Sequence, residues 1–99
     1  MLGRLAGLAM IVQEAVLRVY VMHPGAVFSM KIRPGVLKVG IGKAPRGFIE
    51  DCERIVTDSD LRRGTIIGIQ RGRKTFLKFS HNIPKRCQQR FRNAWHSHK

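Results

Sequence analysis

From Ile83 to Trp95 the chain reads Ile-Pro-Lys-Arg-Cys-Gln-Gln-Arg-Phe-Arg-Asn-Ala-Trp. Ile83, Cys87, Phe91, Ala94 and Trp95 recur at steps of four, four, three and one, which is one face of an α-helix. Lys85, Arg86, Gln89, Arg90, Arg92 and Asn93 fill the other face. The apolar side of such a helix must be buried against other elements, and the cationic side must meet water or an anion. The rest of the domain has to supply the surface that this helix covers.

Ninety-nine residues suffice for one domain with a modest core. An apolar fraction of 43% is that of a folded chain. The charge balance is far from average: 19 Lys and Arg against 6 Asp and Glu, a net +13. Five of the acids, Glu50, Asp51, Glu53, Asp58 and Asp60, cluster, and Glu14 is the sixth. From Leu61 to Lys99 there are eleven basic residues and no acid. A field of that sign attracts nucleic-acid phosphates, anionic lipid headgroups or an acidic protein. Cys52 and Cys87 each fall on the apolar face of an expected helix. They read as a reduced, buried pair, because free cysteine packs as a small hydrophobe.

Met1 to Met22 is rich in Leu, Ala, Val, Ile and Met, with Arg4, Glu14 and Arg18 on a narrow stripe. Some 22 residues at about 1.5 Å each reach across a bilayer. Gln13 and Glu14 would then lie at depth, where an acid costs roughly 2.5–3.5 kcal/mol. Three readings fit the segment: a membrane span, an interfacial helix, or a helix packed on the domain or a partner chain. If it spans, the basic bulk that follows puts the C-terminus in the cytoplasm, on the inner face of the inner membrane. If it does not, the chain is cytoplasmic.

His23-Pro24-Gly25 breaks this helix. Phe28, Met30 and Ile32 alternate with Val27, Ser29, Lys31 and Arg33, a strand period. Pro34-Gly35 supplies a turn, and Leu37, Val39 and Ile41 return on one face. After Pro45, suited to a first helical turn, Phe48, Ile49, Cys52, Ile55 and Val56 take helical spacing up to Thr57-Asp58-Ser59-Asp60. The pattern then repeats. Thr65 to Gln70 and Lys74 to Ser80 are strands about Arg71-Gly72-Arg73, and the basic helix follows before His96-Ser97-His98-Lys99 frays away. Pro45 and Pro84 stand 39 residues apart, each after a hairpin and before an amphipathic helix.

This predicts an α+β fold. An N-terminal helix (1–22) precedes a basic domain (23–99) built as a duplicated hairpin–helix, ββαββα. Its four-stranded, mostly antiparallel sheet has both helices on one face. The helices are expected to cover Phe28, Met30, Ile32, Leu37, Val39, Ile41, Ile67, Ile69, Leu77 and Phe79. Lys31, Arg33, Lys38, Gln70, Phe76 and Lys78 then face the other way, with Val27, Val36 and Ile66. That second face is too apolar to stand free in water, so the N-terminal helix, a partner or a second copy of the chain is expected to cover it.

Ala44-Pro45-Arg46-Gly47-Phe48-Ile49-Glu50-Asp51-Cys52, Phe79-Ser80-His81-Asn82-Ile83-Pro84 and Gln88-Gln89-Arg90-Phe91-Arg92-Asn93 carry a resemblance. The chain resembles, over about residues 24 to 95, an uncharacterised bacterial family of short proteins filed as a domain of unknown function. The resemblance implies an N-terminal membrane helix and a small basic cytoplasmic domain. Glu14 and Arg18 interrupt the plain apolar span that the family carries. The family has no assigned activity, so no catalytic residue follows from it.

Gly40-Ile41-Gly42-Lys43 has one residue between its glycines where a phosphate loop needs four, and Ala44 stands where that loop carries Ser or Thr. Arg46-Gly47-Phe48 starts like an RNA-recognition signature, but Ile49-Glu50 breaks it. His96-x-His98 offers two ligands where structural zinc takes four. Neither cysteine has a base beyond His81 to make it a nucleophile. The sequence therefore predicts a non-enzymatic chain with no cofactor and no metal. Its candidate anion-binding residues are Arg62, Arg63, Arg71, Arg73, Lys74, Lys85, Arg86, Gln89, Arg90, Arg92 and Asn93. The first expectation is a membrane-tethered domain on anionic lipid or an acidic partner. The alternative is a soluble nucleic-acid-binding module, RNA- or ribosome-associated.

Overall fold

The computed structural model describes residues 23–98. The expected N-terminal helix lies outside them. The elements are β1 (Ala26–Arg33), β2 (Val36–Gly42), α1 (Arg46–Asp58), β3 (Gly64–Arg71), β4 (Lys74–Phe79) and α2 (Lys85–His98). The strands form one sheet in the order β2-β1-β3-β4, and every neighbouring pair is antiparallel.

Each hairpin turn follows from its residues. Pro34 and Gly35, the latter at φ 69°, have the dihedral demand of a type II turn. Gly72, at φ 62° and in the first of two loop positions, suits the type II′ turn that matches strand twist. α1 starts after Pro45, whose carbonyl accepts from the Ile49 amide at 3.0 Å. It ends in a Schellman motif: the Leu61 amide donates to Val56 O at 3.1 Å and the Asp60 amide to Thr57 O at 3.3 Å. Leu61 and Val56 both enter the core, the hydrophobic contact that accompanies this cap. α2 does not fray where the sequence suggested; it continues through His98.

One core cluster joins the inner face of the sheet to both helices. It contains Phe28, Met30, Ile32 and Ile66 from the strands, Phe48, Cys52, Ile55 and Val56 from α1, and Ile83, Cys87 and Phe91 from the last segment. Both cysteines are free and buried. Phe91 is wholly buried, so the apolar stripe of α2 points where its spacing requires.

The phase of β3 differs from expectation. Ile66 faces the helices, while Ile67 and Ile69 lie on the opposite face with Ala26. Glycines decide this. Gly64 and Gly68 share the inner face with Ile66. A Cβ on Gly68 would stand 2.2 Å from the Phe28 ring, and one on Gly64 2.6 Å from Ile83. The inner row of β3 is thus small-large-small, cut to admit a phenyl ring and an isoleucine. Ile41 is also turned over. The register slips between Ser29 and Met30, leaving Gly40 as the extra residue of a β-bulge, and beyond a bulge the alternation changes face. Ile41 then pairs with Ser29, whose Oγ accepts from the Ile41 amide at 3.2 Å. A second slip between Ala26 and Phe28 brings Val27 against the main core. Val39 keeps its inner-face register opposite Met30, but on an edge strand it stays 40% exposed.

Candidate anion-binding groove between the last strand and the last helix

The basic residues of α2 do not form one surface. Successive helix positions are about 100° apart, which divides the face opposite the core into two flanks and a crest. One flank meets α1. Arg90 donates from Nη1 to Ser59 Oγ at 3.0 Å, and its Nη2 stands 3.7 Å from Asp58 Oδ2. His98 Nε2 is 2.7 Å from Asp51 Oδ2. Asn93 lines a shallow cleft on this side with Asp51, Arg54 and Arg90. Arg90 is therefore partly engaged by an acid, unlike the open cation the sequence suggested. The crest carries Arg86, Gln89 and Asn93, and Lys85 lies two turns before Arg92 on the other flank, all exposed; Gln89 donates from Nε2 to Asn93 Oδ1 at 3.0 Å. Lys85 and Arg86 sit in the first turn, where the helix dipole already carries partial positive charge.

The other flank faces β4 across a groove of about 620 Å³. Arg73 and Lys74 from the β3–β4 turn form one lip, and Arg92 and His96 form the other; Trp95 lies between them, and Phe76, paired with Ile69 on the outer face of the sheet, borders the groove from the edge of β4. The Arg92 guanidinium carbon is 5.2 Å from the centroid of the Phe79 ring, a cation–π contact that holds the side chain along the groove. Phe76 is 53% exposed. Trp95 is half-buried, 5.0 Å from Phe48 and 5.5 Å from Phe28 between ring centroids. Its ring serves the core rather than standing as a platform. The buried indole N–H has no acceptor among the described residues.

Among the described residues no acid lines the groove. The described acids all belong to α1 and the turn that follows it, so they neutralise the α1 flank of α2 and leave the β4 flank positive. Three of the sequence candidates, Arg73, Lys74 and Arg92, converge here. Arg71 pairs with Lys74 at the end of the hairpin. Arg62 and Arg63 lie before β3, at the far end of the sheet. Sequence reasoning missed His96 as a groove residue, because it placed that residue in a frayed tail. It assigned Phe76 only to the outer face of the sheet, and the edge position of β4 is what brings it to the lip.

Among the described residues that line the groove, no nucleophile is hydrogen-bonded to a base. Burial, followed by the charges of Asp51 and Glu53, pushes the Cys52 thiol up from 9.0 to about 12. A thiol so disposed stays protonated and unreactive at neutral pH. Among the described residues, no group of three His, Cys, Asp or Glu side chains is placed to hold a metal ion. No described helix is long and apolar enough to cross a membrane.

No curated protein and no solved structure matches the chain. A family model does, over residues 7–99, which takes in every element of the fold and the whole groove. The chain therefore belongs to the family described as "Protein of unknown function (DUF3634)".

Proposed function

We propose that this protein is a non-enzymatic binding module whose β4–α2 groove holds a single strand of nucleic acid. One observation carries the reading: Arg73, Lys74, Arg92 and His96 converge on one groove with no acid among them and an exposed Phe76 at its edge. Cations that track a backbone, beside an aromatic face on which a base stacks, are the two parts of a single-strand site. Phosphate contact by Arg73, Lys74 and Arg92 makes affinity fall with salt, at about 0.7 in log–log slope for each phosphate neutralised. Fluorescence anisotropy of a labelled oligonucleotide tests this. The expected slope is about −2 for these three contacts, reduced in Arg73→Gln and in Arg92→Gln. Affinity that stays level between low and moderate salt contradicts the reading.

A second reading has its own support in the 22 apolar-rich residues ahead of the domain. In it the N-terminal segment tethers the protein to the cytoplasmic face of the inner membrane, and the basic surface meets anionic lipid. Each Lys or Arg at such a surface contributes roughly 1 kcal/mol. A bilayer lying flat on the helix layer meets the exposed Glu50 and Glu53 of α1 beside the cations of α2, and for that reason we favour a strand in the groove. Membrane fractionation of the full chain separates the two. A pellet that resists a high-salt wash supports tethering, and recovery in the supernatant opposes it.

A further inference from the structure

The outer face of the sheet gathers a second group of cations at its Pro34 end, remote from the groove. Lys31 stands opposite Lys38 across one ladder and opposite Thr65 across the other. Arg33 lies two residues further along the same face of β1. Arg63 immediately precedes Gly64, whose partner is Ile32, so the chain brings it beside Arg33. Lys31, Arg33, Arg63 and His81 line one cleft of about 500 Å³.

Like charges placed across a sheet ladder repel, and no described acid pairs with them. Among the described residues no acid lines the cleft, and the ion pairs involve none of these four side chains. Cations on a strand end and a helix–strand loop have been brought around one cavity at an electrostatic cost, with the His81 imidazole beside them. The walls are also tied together. Ser80 Oγ accepts from the Thr65 amide at 2.9 Å and contacts Asn82 Oδ1, fixing the β4–α2 loop against the start of β3. Thr65 and Ser80 add hydroxyls to the lining.

We propose that this cleft binds a phosphate group, as inorganic phosphate or as the terminal group of a phosphate monoester. Two guanidinium forks, an ammonium and hydroxyls match a dianion with three oxygens on its outer face. A carboxylate offers one charge and two oxygens, and would leave part of the cluster unrelieved. The cleft shares no residue with the β4–α2 groove, so the proposal stands or falls independently of nucleic-acid binding there.

The test is a titration of the isotopically labelled full chain with sodium phosphate at constant ionic strength, followed through its backbone amide resonances. Saturating shifts at Thr65, Ser80 and His81 are expected. They should weaken at least tenfold in the Arg33→Gln/Arg63→Gln double variant and persist in Arg92→Gln. Without phosphate the double variant should melt a few degrees higher than the parent, because the repulsion between Arg33 and Arg63 is gone, and phosphate should raise the midpoint of the parent alone. Adenosine monophosphate in a parallel titration identifies the source. Binding tighter than that of phosphate assigns a monoester, and equal binding assigns the free ion. Shifts that grow without saturating, or that survive in the double variant, overturn the proposal.

Discussion

Asp60 is the one described residue other than glycine with a positive φ, at 50°. It occupies the position after the α1 C-cap where glycine is usual, and a side chain there costs about 1 kcal/mol or somewhat more. Its charge also lies at the negative end of the helix dipole. Asp60→Gly is therefore expected to stabilise the domain by about 0.5–1 kcal/mol, measured as a higher urea midpoint with an unchanged slope. Loss of stability would mean that the Asp60 carboxylate has a partner that outweighs its backbone strain. Cys52 gives a prediction of another kind. Its thiol is raised from 9.0 to about 12 by burial and by the neighbouring carboxylates, so between those values the folded state binds more protons than the unfolded one. The Cys52 contribution is intact below about pH 9 and declines as the pH rises towards 12. Denaturation midpoints taken from pH 8 to 11 should fall for the parent and fall less for Cys52→Ala. Parallel curves would contradict this.

At the scale of elements, the helices were legible because burial at every third or fourth residue leaves a pattern that survives any choice of partners. The hairpins were legible from Pro34-Gly35 and from the Gly72 turn. The face of β3 was not, because Ile66, Ile67 and Ile69 offer isoleucine to either side. What separates the two phases is the pair Gly64 and Gly68, which have meaning only once Ile83 and Phe28 are known to lie above them. Gly40 is a similar case. It reads as an ordinary strand glycine until the bulge turns Ile41 over. Gly68→Ala is accordingly expected to cost about 2–3 kcal/mol through overpacking against Phe28, whereas Phe76→Ser, at an exposed site, should change stability by about 0.5 kcal/mol or less. Chemical denaturation of the two variants checks the assignment of faces. A small loss in Gly68→Ala together with a large one in Phe76→Ser would mean that the faces are inverted.

For the whole molecule, the sequence announced an excess of positive charge but not where it acts. The candidate cations divide among the two flanks and crest of α2, the β3–β4 turn and the far end of the sheet. The division depends on where α1 docks, since its acids offset one flank of α2 and not the other. Long-range charge placement of this kind is invisible to periodicity, which reports only what a helix buries. It also sets two explanations of anion binding against each other: a local groove, or simple attraction to a protein of net charge +13. Reversing one charge on each flank distinguishes them, because Arg92→Glu and Arg90→Glu alter the net charge equally. In oligonucleotide anisotropy at fixed salt, the groove account predicts a loss of tenfold or more for Arg92→Glu and less than threefold for Arg90→Glu; equal losses in the two variants would contradict it.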